Sequence, residues 1–131
     1  MFFAYGQERM LDEGRFMAKQ AFKAGASIQF HQYNALPHIF AFIAQIPQSA
    51  HLFTQWAQFC RKCVEEPHKI DSSRYYVHEP VMGPPGFKTI LRDISDEKQF
   101  TDLEYEEVLK LMDGNKTKMK VWNGPKTKSS L

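Results

Sequence analysis

In the first half of the chain, apolar positions alternate between strand-like and helical spacing. Met1 to Tyr5 is an unbroken apolar run closed by Gly6, the pattern of a short strand buried inside a parallel sheet. Met10, Leu11, Met17, Ala18, Ala21 and Phe22 then recur at helical spacing, with Asp12 and Glu13 early and Gly25 as the stop, which predicts a helix from about Met10 to Ala24. From Ser27 to Tyr33 the period changes to two: Ile28 and Phe30 share one face, and Gln29, His31 and Tyr33 the other, as in a second strand. Asn34 to Pro37 reads as a loop, which puts His38 just past a strand end. Ser49 is placed to cap a helix reaching about Val64, whose apolar stripe (Leu52, Phe53, Trp56, Phe59, Cys60, Cys63 and Val64) is expected to pack on a sheet.

Pro67 closes that helix, and Pro80, Pro84, Pro85 and clusters of charge then break any long periodicity. Thr101 and Glu104 have the spacing of a capping box, and Leu103, Val108, Leu109, Leu111 and Met112 support a helix near 101–113 that ends about Gly114. Lys118 to Trp122 is read as a short strand, and the last residues as frayed. The order strand, helix, strand, loop, helix demands a parallel pair joined by a crossover helix, so the class is α/β. Two parallel strands do not stand alone, and the remaining sheet is expected from outside these residues. The chain therefore divides into an α/β segment, 1–66, and an irregular α+β appendage with a basic tail, 67–131.

Composition narrows the partners. With 131 residues, 43% of them hydrophobic, the chain can build one ordinary domain. Its formal charge of +2 is too small to make nucleic acid or a membrane surface the default partner. The basic character sits in Lys116, Lys118, Lys120, Lys126 and Lys128, with no acid after Asp113. Together with Trp122 these lysines are the minimum for touching a single strand, but a solvated tail is the favoured reading and nucleic acid is not an expected partner. No apolar run is long enough to cross a bilayer, and Met1 to Tyr5 is too short for a signal peptide, so a cytoplasmic product is expected. Cys60 and Cys63, with His68 beyond, form only half of a structural zinc pattern, and both thiols fall on an apolar stripe. They are read as core residues; no metal and no cofactor is expected.

Three stretches carry chemistry in order: Gly6-Gln7-Glu8-Arg9-Met10-Leu11-Asp12-Glu13, Ala24-Gly25-Ala26-Ser27-Ile28, and Tyr33-Asn34-Ala35-Leu36-Pro37-His38-Ile39-Phe40. Over about residues 1–60 this arrangement resembles the C-terminal end of α/β-hydrolases, in the esterase branch similar to hormone-sensitive lipase. There the first stretch reads G-x-[D/E]-x-L-x-D-E, with Met10 here in place of the usual Leu, and the last reads Y-x-x-x-x-H-x-F. The resemblance implies that Glu8 is the acid and His38 the histidine of a Ser-acid-His triad. A carboxylate accepting from the imidazole Nδ1–H fixes the tautomer and leaves Nε2 to take a proton from a serine hydroxyl. Asp12 is a second candidate for the acid, and Glu8 can also be read as a first-turn acid serving the helix dipole. His31, His51 and His78 are assigned no role.

None of the seven serines is flanked as G-x-S-x-G, and no HGGG-type oxyanion motif occurs. In the family both lie upstream of the acid and histidine, so the resemblance implies a chain that starts partway through the fold. The nucleophile then belongs to an upstream segment or a separate N-terminal hydrolase half, the substrate is a carboxylic ester, and these residues alone are inactive. The competing reading is a non-catalytic hydrolase remnant that docks on a partner through an unpaired sheet edge.

Overall fold

The computed structural model of the chain describes residues 1–7, 10–43, 45–70 and 72–116. Its first unit is strand β1 (Phe2–Gly6), helix α1 (Leu11–Lys23) and strand β2 (Gln29–Tyr33), with the two strands parallel and paired from Phe2↔Gln29 to Gly6↔Tyr33. Helix α2 (Pro47–Glu65) makes a second crossover to strand β3 (Ser73–Pro80), which lies parallel to β2 with Tyr33 opposite His78. Strand β4 (Phe87–Ile94) returns antiparallel to β3, and helix α3 (Tyr105–Lys116) follows. The result is an α/β fold around a four-stranded mixed sheet in the order β1-β2-β3-β4.

Both faces of the sheet are covered, as parallel pairing requires. On one face Leu11 and Ala18 of α1 lie over Phe3, Phe30, Tyr75 and Val77, and Phe100 closes the far side. Phe30 is fully buried at the centre, with ring centroids of Tyr75 at 4.7 Å, Tyr5 at 5.8 Å and Phe3 at 5.9 Å. On the other face Leu52 of α2 packs with Tyr33 and Phe40 over Phe2 and Ala4. Gly25, with φ +85°, lies just beyond α1 and turns the chain toward β2, a conformation open to glycine at no steric cost.

The structure corrects the division at residue 67. Residues 73–94 are no appendage: β3 and β4 extend the sheet beyond β2, so part of the sheet expected from elsewhere is supplied by this chain. β3 escapes a polar/apolar reading because both of its faces are covered, and Tyr75, Tyr76, Val77 and His78 all turn inward to some degree. The prolines fall at the end of β3 and in the turn that follows it, and Lys88, Arg92 and Asp93 are exposed on the edge strand β4.

Two caps also differ. α2 begins at Pro47, whose missing N–H costs nothing in a first turn, and Ser49 is buried instead, its Oγ donating to the Phe40 carbonyl at 2.6 Å. The capping box forms at Asp96 and Gln99 on a short 3-10 turn, while Glu104 accepts from Lys19 Nζ at 2.8 Å. Lys19 is fully buried and also donates to the Leu103 carbonyl at 2.8 Å, fastening the segment before α3 to α1. The strand expected at Lys118–Trp122 and the lysine tail beyond Lys116 lie outside the described residues. Among the described residues no helix is long and apolar enough to cross a membrane.

Candidate functional site

The C-terminal ends of β1 and β2 meet at Gly6. A Cβ on Gly6 would sit 2.3 Å from the Leu36 carbonyl oxygen and 2.8 Å from that of Pro37, so only glycine lets the loop after β2 lie against the end of β1. Two hydrogen bonds tie the same loops: Gln7 N–H donates to the Tyr33 carbonyl at 3.0 Å, and Ala35 N–H donates to Gln7 Oε1 at 3.2 Å. The loop residue Ala35 takes φ 59° to make the turn.

His38 is exposed on this loop, between two buried anchors. Tyr33 and Phe40 pack on one another with centroids 4.8 Å apart, and Ser49 holds the Phe40 carbonyl from α2. The spacing Tyr33-x-x-x-x-His38-x-Phe40 thus acts as two apolar pins with the imidazole carried outward between them. Glu8 lies outside the described residues. Asp12 is exposed in the first turn of α1, where its carboxylate pairs with Arg15 at 3.4 Å. Open α/β sheets gather their ligands and reacting groups at such strand ends, and the loops after β1 and β2 share one.

The sequence assigned nothing to His31, His51 and His78, yet they cluster on the α2 face. His31 and His78 are fully buried, with His31 Nδ1 and His78 Nε2 3.1 Å apart, one donating and the other accepting. His78 Nδ1 meets Thr89 Oγ1 at 2.9 Å, and His51 Nδ1 meets the Tyr33 hydroxyl at 2.9 Å. His31 also stacks between Phe2 and Tyr76, at 4.9 Å and 4.4 Å. Burial disfavours the charged imidazolium and, helped by the neighbouring histidines, holds His31 down to about 3 and His78 to about 4. Burial lowers His51 too, and raises Tyr33. The signal was a register: period two puts His31 and Tyr33 on one face of β2, opposite Tyr76 and His78 once β3 is recognised.

Cys60 and Cys63 are not core residues; both are free and exposed. The apolar stripe of α2 meets the sheet through buried Leu52 and through Phe59, whose ring lies 5.6 Å from that of Phe2, whereas Trp56 and Val64 are 51% and 82% exposed. Phe2, Ala4, Leu52, Phe53 and Trp56 line an apolar groove beside the outer margin of β1. Among the described residues no three His, Cys, Asp or Glu side chains are placed to hold a metal ion. No family model, curated protein or solved structure matches the chain.

Proposed function

We propose that this chain supplies the acid and histidine of a serine-type carboxylic ester hydrolase with an α/β-hydrolase fold, acting in the cytoplasm. Glu8 accepts the Nδ1–H of His38, whose Nε2 removes the proton from a serine hydroxyl as the oxygen attacks the ester carbonyl. His38 then returns that proton to the departing alcohol, and water repeats the sequence to release the acid. The serine and the oxyanion donors come from outside the 131 residues, so the chain is inactive by itself.

The observation that carries the reading is the contact of Gly6 with the Leu36 and Pro37 carbonyls. It joins the loops leaving two adjacent parallel strands, one entering the Glu8 segment and the other carrying His38, as an acid and a histidine acting together require. The test mixes the chain with an N-terminal α/β-hydrolase half that holds the G-x-S-x-G serine, and follows hydrolysis of p-nitrophenyl butyrate. Hydrolysis that appears on mixing and disappears with His38→Ala supports the reading. Restored hydrolysis that survives His38→Ala overturns the assignment of His38.

One observation favours a second reading. β1 is at the margin of the sheet, and the apolar groove and stripe of α2 lie open beside it, a surface suited to receiving a strand from a partner. On that reading the remnant binds without catalysis, and a mixture that associates but hydrolyses no ester selects it.

A further inference from the structure

We propose that the α1 face carries a separate binding site, a polar cavity of about 220 Å³ between Arg15 and Arg92 that takes a small hydroxy- or amino-carboxylate. The inference goes beyond the esterase reading and does not depend on it. Gln32 and Asn34 lie at the C-terminal end of β2 and Glu79 at that of β3, so the cavity opens where parallel strands of an α/β sheet present ligands. The hydrophobic cluster of this face is aromatic and aliphatic, and Gln32 stands beside it as a buried polar group.

Hydrogen bonds fix the floor before any ligand arrives. Gln32 Oε1 accepts from Arg15 at 2.9 Å and from the Tyr75 hydroxyl at 2.6 Å, Arg15 Nε donates to the Tyr75 oxygen at 3.0 Å, and Gln32 Nε2 donates to Asn34 Oδ1 at 2.5 Å. The guanidinium of Arg15 is therefore held in place, with Asp12 on Nη1 at 3.4 Å, and one hydrogen each on Nη1 and Nη2 remains to meet a carboxylate.

Arg92 adds the second cation. It stands opposite Tyr75 in the β3–β4 register, on the same face, and has no ion pair among the described residues. Of the neighbouring acids, Asp12 pairs with Arg15 at 3.4 Å, while Asp93 is engaged with Arg74 at 3.5 Å and Glu79 with Lys88 at 2.9 Å. The lining, Arg15 and Arg92 against Glu79, is net positive, and Glu79 Oε1, beside the Oε2 that pairs with Lys88, receives a hydroxyl or ammonium donor from the far end of the ligand. At about 30 Å³ per water, the volume equals that of roughly seven waters, the scale of a small hydroxy- or amino-carboxylate.

The test titrates the whole chain with malate and with glutamate by calorimetry, with inorganic phosphate as the comparison. Arg92 is exposed on an edge strand, so Arg92→Ala keeps the fold, checked by its melting curve; Arg15→Gln is the second variant if that curve is unchanged. Saturable binding of malate or glutamate in the low-millimolar range or tighter, weakened roughly tenfold by Arg92→Ala, is expected. No saturable binding of either up to about 10 mM, equal affinity in Arg92→Ala, or tighter binding of phosphate than of both carboxylates overturns the proposal.

Discussion

Acidification is expected to undo this fold well before its carboxylates titrate. In the unfolded chain His31 and His78 protonate near 6.5, whereas burial holds them at about 3 and about 4 in the folded state. Between those values the unfolded chain binds more protons than the folded one, so stability is full above about pH 6.5 and falls as the pH drops. Each group loses about 1.4 kcal/mol per pH unit, so at about pH 5 the loss is roughly 2 kcal/mol per ring and roughly 4 kcal/mol for the pair. That is a large share of the ~5–15 kcal/mol typical of a domain. His51, lowered by burial as well, steepens the fall.

Urea unfolding followed by circular dichroism at pH 7.5 and 5.0 measures the effect. With a slope of about 2 kcal/mol per M, the midpoint should move down by about 2 M. His31→Phe with His78→Phe removes both titrating rings and should flatten the pH dependence, whatever it does to stability at neutral pH. A wild-type midpoint that moves by less than about 0.5 M, or an equal drop in the double variant, would refute the reasoning.

Gly6→Ala forces a Cβ against backbone carbonyls of the loop carrying His38, and should cost about 1–3 kcal/mol in thermal melts and shift the His38 imidazole resonances. An unchanged spectrum would show that the two strand ends do not press together. Phe30→Ala empties the centre of the α1 face and should cost about 3–5 kcal/mol in urea, the largest loss among single aromatic truncations. Cys60 and Cys63 should both react with a thiol reagent in the folded protein, without denaturant; protection of either would restore it to the core.

The parts legible in the sequence are those where one local rule acts alone. Met10 to Ala24 is an amphipathic repeat with a glycine stop, and it folds as α1 over Leu11–Lys23. Ser27 to Tyr33 alternates, and β2 forms over Gln29–Tyr33. β3 was hidden because a strand covered on both sides has no polar phase, and its prolines, which serve the following turn, looked like breakers. Cys60 and Cys63 failed for the opposite reason: helical periodicity reports which residues share an apolar stripe, not how much of that stripe a neighbouring layer covers, and Phe59 meets Phe2 while Cys60 beside it is exposed. For the site, the glycine and the Tyr33, His38 and Phe40 spacing could be read directly, but the buried histidines could not, since their proximity arises from pairing between strands more than forty residues apart.

The two margins of the sheet are chemically unequal. β4 carries Lys88, Arg92 and Asp93, charges that discourage another strand from adding there, whereas β1 reads Phe2-Phe3-Ala4-Tyr5-Gly6 without a charge. Growth of the sheet is consequently one-sided. Two copies of the isolated chain that met through β1 would consume both receptive margins and leave only charged ones outside, so self-association through the sheet ends at a pair and does not propagate into a fibre.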